Sequence, residues 1–400
     1  MRNFGSFLKW AAIASFLVLS LSNPMVLGNF IDSGQSLGGN AESTSVELAD
    51  LDGDNDLDAF VTNYDTHNRV YVNQGGAQGG VAGSFLDSGQ ILGTGSAQDV
   101  AFADIDDDGD LDAFTIIDSG NDSNKIWINQ GGDQGGTEGE FLLSGFTSGD
   151  DMSAAIAMGD LDGDNDPDAF IARSIGRANK VWMNNGIGLF FDDGQSLGDG
   201  SSNDIALGDL DGDLDLDAFV ANGAANKVWI NQGGAQGETE GDFLDSEQIL
   251  GSSLSLGLEL GDLDGDGDLD AFVANNGANL VWINQGGAQG GNPGTFWDSG
   301  QSLGSEMSRG VSLRDFDYDS DLDAFVANFS GNKVWINQGG LQGGTEGVFA
   351  DNGQSLGDSN SEDVALGDLN GDGKPDAFVA NWGNPNKVWF NQDQSPIPNE

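Results

Sequence analysis

Between Asp262 and Asp270 the chain reads DLDGDGDLD, five aspartates in nine residues, and the apolar run Ala271–Ala274 follows at once. Two carboxylates about 4 Å apart repel by roughly 4 kcal/mol at an effective dielectric near 20. A divalent cation held among them reverses that sign. Numbered from the first Asp, carboxylates stand at positions 1, 3, 5 and 9, and a turn residue stands at position 6. Alternate side chains of a tightly curled segment converge on one point, and such hard oxygen ligands suit Ca²⁺, which takes six to eight of them. The backbone carbonyl of position 7 is expected to join them. An EF-hand loop opens in the same way but needs a bidentate Glu at position 12. Here that place is Val273, inside the next apolar run. Bare turns also favour Asp and Gly, yet a turn does not require carboxylates at four fixed offsets.

The cluster occurs seven times, so the expectation is up to seven calcium ions, one per copy. The candidate ligands are Asp50, Asp52, Asp54, Asp56 and Asp58; Asp104, Asp106, Asp108, Asp110 and Asp112; Asp160, Asp162, Asp164, Asp166 and Asp168; Asp209, Asp211, Asp213, Asp215 and Asp217; Asp262, Asp264, Asp266, Asp268 and Asp270; Asp315, Asp317, Asp319, Asp321 and Asp323; and Asp368, Asn370, Asp372, Lys374 and Asp376. Position 7 enters through its main chain, which is why Lys374 belongs to the set. The position-7 side chains of the other six copies are expected in solvent. Asn55, Gly109, Asn165, Gly267 and Gly373 at position 6 tolerate a left-handed backbone, whereas Leu214 and Ser320 fit it less easily. Asn370 lowers the charge of the seventh loop.

Positioning seven such loops needs a repeating scaffold. The clusters start at intervals of 54, 56, 49, 53, 53 and 53 residues. Two other signatures keep the same period: NKVWINQ, and GxFxDSGQSLG led by Phe30, Phe85, Phe141, Phe190, Phe243, Phe296 and Phe349. Each unit reads as four short strands: a segment such as Val364–Leu366, then DAFVAN, then KVWIN, then the Phe-led segment. About 53 residues leave no room for crossover helices, so the strands meander antiparallel. DAFV and VWI are apolar at consecutive positions, which predicts small sheets covered on both faces. Sheets stacked around an axis meet that demand. The expected fold is all-β, a seven-bladed β-propeller of four-stranded blades over residues 29–392. A lone fourth strand at Asn29–Asp32 precedes the first cluster, and the last copy ends at its third strand. The first strand is therefore expected to complete the seventh blade and remove the open edges.

Composition narrows the partners. The chain has 66 acidic residues against 13 basic ones and a net charge of −53. Phosphate binding needs clustered Lys and Arg, so a nucleic-acid role is not expected. Hydrophobic content of 38%, with 23 Phe and 9 Trp, supports a true core rather than disorder. There is no cysteine, so neither disulfides nor thiolate sites can brace the fold. Arg2 and Lys9 precede an apolar stretch from Trp10 to Leu21, and Val26-Leu27-Gly28 reads as a cleavage site. Residues 1–28 thus read as a secretory signal, with an uncleaved anchor as the alternative. The expected location is secreted or cell-surface, extracellular or periplasmic, with no membrane span after cleavage. Residues 393–400 read as a tail.

The loop DxDxDGxxD between two strands, repeated seven times, resembles the FG-GAP/VCBS repeats of integrin α-subunit propellers and many bacterial exported proteins. The resemblance covers residues 29–392. It implies calcium at Asp50, Asp52, Asp54 and Asp58 and at their counterparts. The Phe-Gly and Gly-Ala-Pro segments of the integrin version are absent, so the match is nearer the VCBS type and integrin-like partners are not implied. Members include adhesion modules, lectins and accessory domains of enzymes.

Other chemistry is sparse. His67 is the only histidine, and a Ser-His-Asp triad would depend on it alone. Paired carboxylates hydrolyse glycosides, but the clustered Asp residues are already assigned to metal. Trp127, Trp182, Trp229, Trp282, Trp335 and Trp389, with Tyr71, recur within one strand and read as inter-blade core rather than sugar platforms. Ligand recognition is expected where the copies differ, on the face carrying the 4–1 and 2–3 loops, opposite the calcium loops. Tyr64, His67, Asn121–Asn124, Arg173, Arg177, Arg309, Phe329 and Trp382 lie there, and Arg173, Arg177, Arg309 and Arg314 are candidate contacts for carboxylate or sulfate. The expected function is a monomeric calcium-binding scaffold for a protein or glycan, not an enzyme. A lectin is the alternative, and a polysaccharide hydrolase a more distant one.

Overall fold

The computed structural model describes residues 27–392 except 119–122, 149–151, 235 and 238. Residues 1–28, read above as a secretory signal, and residues 393–400, read as a tail, lie outside the described residues, apart from Leu27 and Gly28. So do Asn121 and Asp122 of the proposed ligand face.

Seven four-stranded antiparallel sheets form a closed ring. Blade one comprises Ser43–Ala49, Asp58–Asn63, Arg69–Asn73 and Phe85–Asp87, and the pattern repeats around the circle. The second strand of each blade is buried at every position, as its unbroken apolar run requires. Phe30–Asp32 pairs antiparallel with Lys387–Asn391, with Phe30 opposite Asn391, so the N-terminal strand completes blade seven. The first strand of every blade carries a register irregularity near its start. This bulge re-aims the side chains that line the axis.

The core lies between blades. One cluster joins Phe170, Val181 and Ala172 of blade three with Val220 and Trp229 of blade four. The leading Phe of each fourth strand meets a Phe of the preceding blade edge-on, as in Phe272–Phe349 at 5.4 Å and Phe60–Phe141 at 5.7 Å. Phe190 fills this slot in blade three although its strand begins one residue later, at Phe191. Tyr71 and five of the six Trp residues are buried, and Trp182 is partly so. The periodic aromatic series is therefore core.

Two polar clamps accompany this packing. The Asn that ends each third strand, or in blade three follows it, donates to the carbonyl of loop position 2 in the preceding blade: Asn73 to Leu369, Asn129 to Leu51, Asn184 to Ile105, Asn231 to Leu161, Asn284 to Leu210, Asn337 to Leu263 and Asn391 to Phe316. The bond from Asn73 to Leu369 closes the circle. In every blade but the second, whose fourth strand is followed by no Gln, the Gln after the fourth strand bridges to the next blade, as Gln301 does to the Phe349 amide and the Gly347 carbonyl.

Candidate metal loops and the axial cavity

Each acidic loop links the first and second strands, and its geometry follows from where its amides go. The position-1 carboxylate curls the loop by accepting main-chain amides, as Asp262 does from Gly265, Asp266 and Gly267. Position 6 has positive φ in all seven loops, including Leu214 at 82° and Ser320 at 80°. The two awkward residues thus take the same turn at a conformational cost. Position 9 is fully buried. Asp270 accepts the Asn284 amide at 2.7 Å on one oxygen and the Leu263 amide at 3.0 Å on the other, and the same pair of bonds recurs in the other blades, as at Asp58. Burial raises these carboxyls, followed by charge from neighbouring aspartates, to about 7 at Asp58, Asp217 and Asp270 and about 8 at Asp112.

Carboxylate oxygens of positions 1, 3 and 9 lie within 4.8 Å of one another in Asp50/Asp52/Asp58, Asp160/Asp162/Asp168, Asp209/Asp211/Asp217 and Asp262/Asp264/Asp270. In the second loop the trio is Asp104/Asp106/Asp108. Position 5 therefore does not share the trio in the other four. Asp54 instead turns toward the connection between strands three and four, accepting the Ala77 amide at 2.8 Å, and Asp266 accepts that of Ala288. One oxygen of Asp52, Asp106, Asp211 and Asp264 is buried without a hydrogen-bond donor. An all-oxygen trio with an orphaned buried acceptor fits a hard divalent cation. The seventh loop differs: the Asn370 amide donates to Asp376 at 2.8 Å, so position 3 turns a nitrogen rather than a free oxygen toward position 9.

The position-7 side chains are not in solvent, contrary to expectation. Asp56, Asp110, Asp166, Asp215 and Asp268 are half-buried and Asp321 is buried. They lie beneath the glycines that begin the 3–4 turn, such as Gly75 over Asp56 and Gly339 over Asp321. Sequence spacing missed this because the turn that covers them lies about twenty residues further along the chain and returns to the same end of the blade.

The 2–3 and 4–1 loops do share the opposite face, as the bond from the Tyr64 amide to the Glu42 carbonyl shows. There the Tyr64 and Trp382 rings meet at 5.4 Å with a 37° tilt, joining blades one and seven. Arg309 lies 5.9 Å over Phe329 and pairs with Glu362 at 3.3 Å. Arg173 is buried, and Arg314 stands at the acidic-loop end of its strand, reaching the Leu366 carbonyl. The four arginines therefore do not form one exposed anion site. His67 is half-buried beside Thr66, 3.3 Å from its hydroxyl.

The structure also collects a group that the sequence reading did not foresee. A cavity of about 750 Å³ on the propeller axis is lined by the first strands and holds Glu47, Asp99, Asp204, Glu259, Glu362 and Asp363 with Arg309 and Arg314. Four of these acids accept a main-chain amide of the next blade: Asp99 from Ile156, Asp204 from Leu258, Glu259 from Leu313 and Asp363 from Val46, at 2.7–3.0 Å. Burial, then the charges of Asp99, Asp363 and Glu259, pushes Glu47 up to about 8. The one available signal was an acid inside a first strand, as in Ser202–Gly208.

The FG-GAP-like repeat family matches residues 50–115, 104–171, 209–273, 262–326 and 315–379. The chain belongs to the FG-GAP-like repeat family. A search of curated proteins found no match. Among solved structures, BBS1N in complex with ARL6DN is similar with a TM-score of 0.58 at 10% identity, over 92% of this chain and 98% of that one. An Agrocybe aegerita lectin that recognises non-reducing terminal N-acetylglucosamine is similar with a TM-score of 0.51 at 18% identity, over 86% and 87%. Identities this low establish the shared propeller fold alone. Among the described residues no helix is long and apolar enough to cross a membrane.

Proposed function

We propose that this FG-GAP-like propeller is an exported, calcium-stabilised binding or adhesion scaffold that works as a monomer and carries no catalytic site. The observation that carries the reading is the carboxylate trio at positions 1, 3 and 9 in blades one, three, four and five, with a buried, donorless oxygen on position 3 in blades one, four and five. Calcium would be held by positions 1, 3 and 9, with Asp108 taking part in the second loop. Its chemistry would be charge neutralisation, which turns crowded carboxylates into a rigid clip. Export is supported by the N-terminal charge and hydropathy pattern, and oxygen-only loops suit millimolar extracellular calcium. Metal content after dialysis against CaCl₂ tests the reading: several ions per chain are expected, and a metal-free protein would defeat it.

A glycan is the second candidate ligand, favoured by the Tyr64–Trp382 ring pair on the variable face. The similar fold of an N-acetylglucosamine-specific lectin is in keeping with it but does not carry it. A glycan array probed with and without chelator separates the lectin from the protein-binding scaffold. Loss of binding in Trp382→Ala would place the sugar on that ring pair.

A further inference from the structure

Six of the seven fourth strands are reached through a 3–4 turn, and the seventh is reached from the N-terminal segment. All seven share a glycine two residues ahead of the leading Phe: Gly83, Gly139, Gly188, Gly241, Gly294 and Gly347 in the turns, and Gly28 ahead of Phe30. Each has a positive φ, 57° at Gly28 and 71–85° at the others. Each also lies close against the preceding blade. A Cβ on Gly28 would stand 3.1 Å from Ile336 and 3.3 Å from Phe316, as one on Gly83 would stand 2.8 Å from Phe390. Gly28 is buried. It fills a built position of the ring, although the sequence alone places it at the end of the signal.

Blade six carries the means to hold it. In blades one, three, four, five and seven the Gln after the fourth strand donates to the carbonyl of this glycine in the next blade, as Gln301 does to Gly347 at 2.6 Å. In blade six Gln354 donates instead to the Asn29 side chain and the Phe30 carbonyl. Asn352 takes over the vacated contact, its amide donating to the carbonyls of Leu27 at 3.1 Å and Gly28 at 3.0 Å. The other blades have Ser33, Ser88, Ser144, Asp193, Ser246 and Ser299 at this place, none of which carries a side-chain amide. Leu27 adds an apolar contact to the core cluster of Phe30, Phe316 and Ile336. Chain continuity tethers the other six glycines, whereas a chain end frays unless side chains tie it down. The one asparagine stands where the covalent turn is missing.

We propose that the exported chain keeps Leu27 and Gly28 as part of blade seven, latched by Asn352, because its signal is cut ahead of them at the Ser22–Asn23 bond and not after Gly28. Ser20 and Ser22 supply the small residues that a signal-cleaving peptidase reads three places and one place before the cut. The hydrolysis consumes one water: the Ser22 carbonyl carbon takes its hydroxyl, and the Asn23 nitrogen leaves with the hydrogen as a new α-amine. A cut after Gly28 would remove both carbonyls that Asn352 holds. It would also set an ammonium group at Asn29, beside the apolar Ile336 and Phe316 that Gly28 covers. This inference rests on the export reading above, and its own claim is the place of the cut.

N-terminal sequencing and intact mass of the protein made from the full chain test it directly. A product beginning at Asn23 is expected outside the cytoplasm. One beginning at Asn29 would overturn the proposal and leave export standing. A chain that keeps Met1 and stays inside the cell removes the export reading with it. Melting in CaCl₂ supplies a second readout, on chains made to begin at Asn23 or at Asn29. The longer chain should melt higher by roughly 2 °C or more. Asn352→Ser, which installs the residue most other blades carry, should lower the longer chain and leave the shorter one almost unmoved. Equal melting of the two chains, or an equal effect of Asn352→Ser on both, overturns the latch.

Discussion

The acidic loops and the axial cavity are both crowded with carboxylates, and they solve the crowding in opposite ways. Along the axis, Asp99, Asp204, Glu259 and Asp363 each accept an amide from the neighbouring blade, so every charge or proton is spent on ring closure. In the loops, position 9 does the same work, but positions 3 and 7 keep oxygens that no donor reaches. Acid density alone therefore does not separate the two regions. Buried acceptors without donors do, because leaving them bare costs about 1–3 kcal/mol each, and they are what supports the proposed metal sites.

Removing calcium should separate the two regions most strongly. At hundredfold excess over Kd each site adds about 2.7 kcal/mol, so chelation is expected to lower the melting temperature by on the order of ten degrees or more. An unchanged calorimetric transition in EDTA would reduce the loops to turns like any other. Next in size, Asp270→Ala measured in EDTA should still cost about 3 kcal/mol, because two buried amides lose their acceptor. Urea titration checks this, and a silent substitution would mean that position 9 serves only the metal. Asn129→Ala should cost about 1–3 kcal/mol by the same assay, since it cuts the bond to Leu51 in the preceding blade and orphans the Gly139 amide.

The axial acids predict a pH signature that the loops, once saturated with calcium, should not share. Glu47 is raised from 4.5 to about 8 in the folded state. The folded protein then holds a proton that the unfolded chain releases, and its stabilisation is complete below pH 4.5 and fades as pH climbs to about 8. Glu47→Gln should therefore match the wild type near pH 4 and melt higher at pH 8, in calcium throughout. Parallel pH profiles would show that Glu47 titrates normally. At the small end, Lys333→Ala breaks a half-exposed pair with Asp351 at 3.0 Å and should change stability by no more than about 1 kcal/mol.

Much of this architecture was legible from the residues. The period of about 53, the unbroken apolar DAFV runs and the stray Phe30 strand specified blade number, strand order and closure, because burial and turn chemistry act locally and repeat. The residues pointed to positions 1, 3, 5 and 9 as one set, and the approach of positions 1, 3 and 9 in four loops lies within nine residues. The direction of Asp54 and Asp56 was not, since it depends on a turn that returns some twenty residues later. Nor were the axial acids, whose aim follows from a bulge in each first strand and whose partners sit in the next blade.

By itself, then, the sequence determined the unit, its number and the density of negative charge, all consequences of short-range pattern. Only the tertiary structure decided which of those charges meet a donor and which meet one another. That outcome depends on how neighbouring blades dock, where amides, turns and carboxylates far apart in the chain come within bonding distance.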